Sequence, residues 1–126
     1  MKRFVLCAVA AFATVSSTAA EARYQIPRLQ NWMSYTTVRN TLVKAGWKPA
    51  PEMAPQEYAR TKARQACEQI RHDMCNARQP EVAACSGTGR AICDTYWSKG
   101  ATAIVVETVG DVPPSFFAAR CVSGCR

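Results

Sequence analysis

Between residues 34 and 80 the apolar positions follow a helical period, and beyond Pro80 they follow a strand period. From Ser34 to Pro49, Tyr35, Val38, Leu42 and Ala45 recur at spacings of three and four, which places them on one face of an α-helix. Ser34 stands where its hydroxyl caps the helix N-terminus. Gly46 suits the left-handed residue that closes such a helix, Trp47 supplies the apolar closure, and Pro49 bars continuation. Residues 23–33 show no clear period, and Pro27 argues against a helix there, so they read as an extended lead-in. PAPEMAP, Pro49 to Pro55, has three prolines in seven residues and reads as a stiff connector. The following segment, QEYARTKARQACEQIRHDMC, predicts a second helix, with Ala59, Ala63, Ala66, Ile70 and Met74 along one stripe and arginines and Lys62 over much of the rest. An alanine-rich stripe is weakly apolar, so a helix of this kind gains from cross-links at Cys67 and Cys75.

AICDTYW and ATAIVVETV, residues 91–97 and 101–109, are rich in β-branched and aromatic residues. Ser98-Lys99-Gly100 between them predicts a hairpin. With Lys99-Gly100 as its two-residue loop, Trp97 faces Thr102, Thr95 faces Ile104 and Cys93 faces Val106, and this side of the ladder is the expected core face. Gly110 and Pro113-Pro114 end the second strand, and SFFAARC supplies a third that returns Cys121 toward the sheet. The expected architecture is α+β: two helices packed on a small antiparallel sheet of about three strands, held by disulfides, in one domain spanning residues 23–126.

The N-terminus changes the setting of that domain. Lys2 and Arg3 precede an apolar run from Phe4 to Val15 that is too short for a lasting membrane anchor, the pattern of a secretory signal. Cleavage is expected after Ala22, with Ala20 as the alternative, and Cys7 lacks the preceding small residues of a lipid-modified cysteine. The expected product is exported, periplasmic or secreted, with no transmembrane anchor. Removing Cys7 from the seven cysteines leaves Cys67, Cys75, Cys85, Cys93, Cys121 and Cys125, an even set that favours three disulfides in an oxidising compartment. On a continuous helix Cys67 and Cys75 stand about 12 Å apart along the axis, beyond disulfide reach. The expected pairing therefore ties the second helix to the hairpin and ties the C-terminal tail back, with a local Cys121–Cys125 pair across a turn at Gly124 as the alternative.

The full chain has a formal charge of +7, and losing Lys2, Arg3 and Glu21 with the signal leaves +6, which favours an acidic protein or an anionic envelope component as partner. Nucleic acid is excluded as the expected partner, because the basic residues are scattered, no recognition motif is present, and export separates the chain from most nucleic acid. CSGTGRAIC, Cys85 to Cys93, is the most site-like stretch. It lacks the lysine of a phosphate-binding loop, the three spaced glycines of a dinucleotide loop and the Gly-x-Ser-x-Gly of a nucleophile elbow. It reads as a tight reversal held by disulfides, with Thr88 and Arg90 as candidate binding residues. His72 is the single histidine, so no metal site and no cofactor are expected. Glu52, Glu57, Glu68, Asp73, Glu81, Asp94, Glu107 and Asp111 show no paired catalytic arrangement, and no catalytic residue is assigned.

Two motifs carry a resemblance: Gly46-Trp47-Lys48-Pro49, read as GW-x-P, and PE-x-x-x-C-S-GTG-x-x-x-C from Pro80 to Cys93, followed by Trp97 and by Thr108-Val109-Gly110. The combination resembles a set of small, uncharacterised secreted or periplasmic bacterial proteins over residues 34–121. It implies export and a compact α+β domain and carries no activity with it. A looser likeness is to the helix-plus-antiparallel-sheet modules of β-lactamase-inhibitor proteins and small outer-membrane assembly lipoproteins, an analogy of fold alone. The expected function is a non-enzymatic interaction module, inhibitor-like in one version. The alternative is a small envelope hydrolase using carboxylates near the GTG turn, with Ser86 or Thr88.

Overall fold

The computed structural model describes residues 20–55, 79–85, 90, 92–110 and 114–126. Helix α1 spans Tyr35–Lys44, and the Ser34 hydroxyl accepts the Thr37 backbone N–H at 3.4 Å. At its other end the Gly46 N–H donates to the Val43 carbonyl at 3.0 Å and the Trp47 N–H to the Leu42 carbonyl at 2.9 Å. Those two bonds, with Gly46 at a φ of +85°, form a Schellman closure, and buried Trp47 and Leu42 belong to the same apolar cluster.

Five antiparallel strands follow: β1, Lys48–Pro49; β2, Val82–Cys85; β3, Cys93–Lys99; β4, Thr102–Val109; and β5, Ser115–Ser123. The order is β1-β3-β4-β5, with β2 also on β3. β1 pairs with Trp97 and Ser98 and β2 with Cys93, Asp94 and Thr95, so the two short strands lie end to end along one edge of β3. The expected two helices on about three strands are thus corrected: among the described residues there is one α-helix, and the sheet has five strands. Strands of two and four residues are too short to show a period of two, and β3 recruits them by lending its free edge. Residues 56–75, read as the second helix, lie outside the described residues.

The β3–β4 register also differs from expectation. Lys99 faces Thr102, Trp97 faces Ile104, Thr95 faces Val106 and Cys93 faces Thr108, a displacement of two residues. The loop is Gly100-Ala101, and Gly100 at a φ of +54° supplies the first central residue of a two-residue hairpin turn. A slip of two preserves the face of every side chain, so the expected core face survives the wrong register. Cys93, Trp97, Ile104, Val106 and Phe116 meet Tyr35, Val38, Leu42 and Trp47 across it. The lead-in closes one border: Ile26, Leu29 and Met33 pack on this core, and the Tyr24 N–H donates to Thr102 Oγ1 at 2.7 Å. A smaller cluster of Ala54, Ala83, Tyr96 and Val105 covers part of the other face.

The disulfides are Cys85–Cys93 and Cys121–Cys125 among the described residues. The first joins directly opposed residues of β2 and β3 and staples the ends of CSGTGRAIC. The second is the local pair. These four cysteines are satisfied by one another, which corrects the expectation that a disulfide ties the Cys67–Cys75 segment to the hairpin. Cys67 and Cys75 lie outside the described residues.

Candidate functional site

Two large aromatic side chains stand out from the surface, Trp32 at 70% exposure and Phe117 at 43%. Each sits on an irregular piece of backbone. Trp32 has a φ of +66°, a left-handed conformation that a bulky residue adopts only when its surroundings impose it. The Trp32 N–H donates to the Phe116 carbonyl at 2.9 Å, and the Phe116 N–H donates to the Met33 carbonyl at 2.7 Å, so residues 32–33 clip onto the outer edge of β5. Phe117 is the unopposed residue of a β-bulge, since the β4–β5 register passes from Thr108 and Phe116 directly to Glu107 and Ala118. A bulge re-aims the side chain it carries.

These aromatics border an open cleft of about 510 Å³, lined among the described residues by Trp32, Arg90, Val109, Gly110 and Phe117. Arg90 is held at its rim through its carbonyl, which accepts the Gly110 N–H at 2.8 Å. Its guanidinium has no ion-pair partner among the described residues. One unpaired guanidinium among apolar and aromatic walls suits a ligand with an apolar body and an anionic group, because arginine both stacks on aromatic rings and binds carboxylate or phosphate in a fork.

Two further polar groupings compete for attention. Asp94 and Glu107 face each other across β3 and β4, and Arg120 pairs with Glu107. Asp94 Oδ1 is buried with no hydrogen-bond partner among the described residues. Burial, and next the Glu107 charge, raise the Asp94 carboxyl above its ordinary range, while Arg120 offsets part of the rise. Between α1 and the sheet, Glu81 is fully buried and accepts from the Tyr35 hydroxyl at 3.0 Å and from Arg39 Nε. Burial, then the Glu81 charge, push the Tyr35 hydroxyl far above its ordinary range, so it is a neutral donor. This grouping ties the helix to the sheet, with Arg39 partly exposed and Glu81 Oε2 buried without a hydrogen-bond partner among the described residues.

Of the sequence-assigned binding residues, Arg90 lies on the cleft, and Thr88 lies outside the described residues, as do Ser86 and His72. No group of three metal-ligating side chains occurs among the described residues. No family model, curated protein or solved structure matches the chain. Trp32 and Phe117 escaped the sequence reading. Phe117 had a signal in the consecutive Phe116-Phe117, since neighbouring strand residues point to opposite faces and one must turn from the core. Trp32 had none beyond a tryptophan in a segment without period.

Proposed function

We propose that the chain is an exported, non-enzymatic interaction module, periplasmic or secreted, that holds its partner at the Trp32–Arg90–Phe117 cleft. The observation that carries this reading is two exposed aromatics fixed by irregular backbone beside an arginine with no ion-pair partner among the described residues. A folded domain gains nothing in stability from such an arrangement, whereas interfaces draw their energy from aromatic and arginine anchors. The partner is an acidic protein or an anionic envelope component, in keeping with the formal charge of +6 that remains once Lys2, Arg3 and Glu21 leave with the signal. The signal at residues 1–22 and the two disulfides are consistent with export, and no described helix is long and apolar enough to cross a membrane.

The test is affinity capture by the oxidised protein from an envelope extract, repeated with Trp32→Ala and Arg90→Ala. A species retained by the native protein should be lost by both variants at unchanged melting temperature. Retention by both would remove the cleft as the site.

The second reading, a small hydrolase, has one observation in its favour: Asp94 and Glu107 meet across the sheet, and burial raises the Asp94 carboxyl as a general acid requires. Turnover of a soluble glycoside or ester, abolished by both Asp94→Asn and Glu107→Gln, would replace the binding module with an enzyme.

A further inference from the structure

β5 ends the strand order, so among the described residues one of its edges has only the lead-in for company. Trp32 and Met33 bond to Phe116, and Ser34 bridges to Ser115, which uses the start of that edge. From Phe117 to Ser123 no backbone partner occupies it among the described residues, and the side chains of this stretch are largely exposed. An open strand edge is a template for another strand. The cleft stands at its beginning, so a chain laid along the edge would pass the cleft with alternate side chains turned toward it.

Charge selects the kind of chain. From Ser115 to Arg126 the sequence has no acidic residue and carries Arg126 and Arg120, the latter paired with Glu107, with Arg90 at the cleft. A second copy would bring a second strongly cationic chain to the same edge. A glycan would need several hydrogen-bonding side chains, where the described lining residues offer the Arg90 guanidinium and the Trp32 indole N–H.

Resting on the reading of the cleft as the docking site, we propose that its partner is an extended acidic peptide segment. The segment adds along the outer edge of β5, lodges an apolar side chain between Trp32 and Phe117, and places a neighbouring carboxylate on Arg90.

Trp32 provides its own reporter, because Trp47 and Trp97 are buried at 4% and 0% exposure and acrylamide quenching of the native protein therefore reads Trp32. The probe is an end-capped hexapeptide alternating aspartate and phenylalanine. It should shield Trp32 and bind at least about tenfold more weakly in each of three cases: with asparagine in place of aspartate, with alternate amides N-methylated, and with the Arg90→Ala protein. Its binding should also weaken with added salt. Equal binding of the aspartate and asparagine peptides overturns the acidic specificity, and equal binding of the N-methylated peptide overturns strand addition. Failure of the peptide to shield Trp32 overturns the inference whatever else binds. Phosphatidylglycerol vesicles form the other arm: shielding by vesicles without shielding by the peptide assigns the cleft to lipid. The cleft reading itself falls only if capture from the extract survives both Trp32→Ala and Arg90→Ala.

Discussion

Gly46 holds a φ of +85°, and a Cβ built there would meet only the Lys99 side chain at an ordinary 3.6 Å. A substitution at this position is therefore opposed by backbone conformation and not by crowding. Gly46→Val should lose at least about 1 kcal/mol in urea titration, while Gly46→Asn, whose side chain tolerates the left-handed region, should lose less. Equal losses would mean that space decides. Asp94 presents the opposite case, a native residue the fold would be better without. Its carboxyl is harder to ionise in the folded protein than in the unfolded chain, so its contribution to stability is greatest in acid and declines as pH rises through its unfolded and then its folded range. Asp94→Asn should raise the melting temperature at pH 7, and the gain should shrink toward nothing near pH 3, where the native carboxyl is protonated in both states. A constant gain across that range would assign it to packing.

Helix α1 was legible in nearly every detail, because its signals are local: a capping serine, three apolar positions one turn apart and a glycine closure lie within fourteen residues. What binds it to the sheet was not legible. Glu81 comes from the segment before β2, Arg39 and Tyr35 from the helix, and nothing in either stretch announces the other. The Arg39 side chain is partly exposed while that of Glu81 is fully buried, so the two ends of the pair are not equivalent. Arg39→Ala would strand a buried carboxylate and should destabilise by about 3 kcal/mol, since removing one member of a buried pair leaves the other charge uncompensated. Adding Glu81→Gln to that variant should restore part of the loss. Without such rescue, the loss belongs to Arg39 packing and not to the charge it neutralises. Strand β4 illustrates a different limit: its existence followed from its β-branched run, and its register did not, because Lys99-Gly100 and Gly100-Ala101 are neighbouring candidates for one loop.

For the molecule as a whole, the disulfides close short loops, from Cys85 to Cys93 and from Cys121 to Cys125. Loops of this length stabilise by about 2–3 kcal/mol each through restriction of the unfolded chain. Replacing Cys85 and Cys93 together by serine should lower stability by that amount. In intact-mass analysis of the exported protein, Cys85, Cys93, Cys121 and Cys125 should take up no alkylating label without reductant. The same spectrum should show a chain beginning at Arg23 or Glu21. Either start retains Tyr24, whose backbone bonds to Thr102 and Arg126 fasten the lead-in to the C-terminal end of the sheet. Labelling of any of the four without reductant would contradict the pairing.

The sequence by itself determined what neighbouring residues enforce on one another: the helix with both of its ends, the presence of β3, β4 and β5, the inward face of the hairpin, and the cationic balance of the chain. Tertiary structure alone decided the two short strands on β3, the meeting of Asp94 with Glu107, and the cleft that gathers Trp32, Arg90 and Phe117. The physical reason is common to these. Each depends on residues far apart in the chain, and the bond, charge or contact that fixes them exists only once the sheet has brought them together. Trp32 is the clearest instance, since its left-handed backbone and its exposure both follow from hydrogen bonds to Phe116, more than eighty positions away.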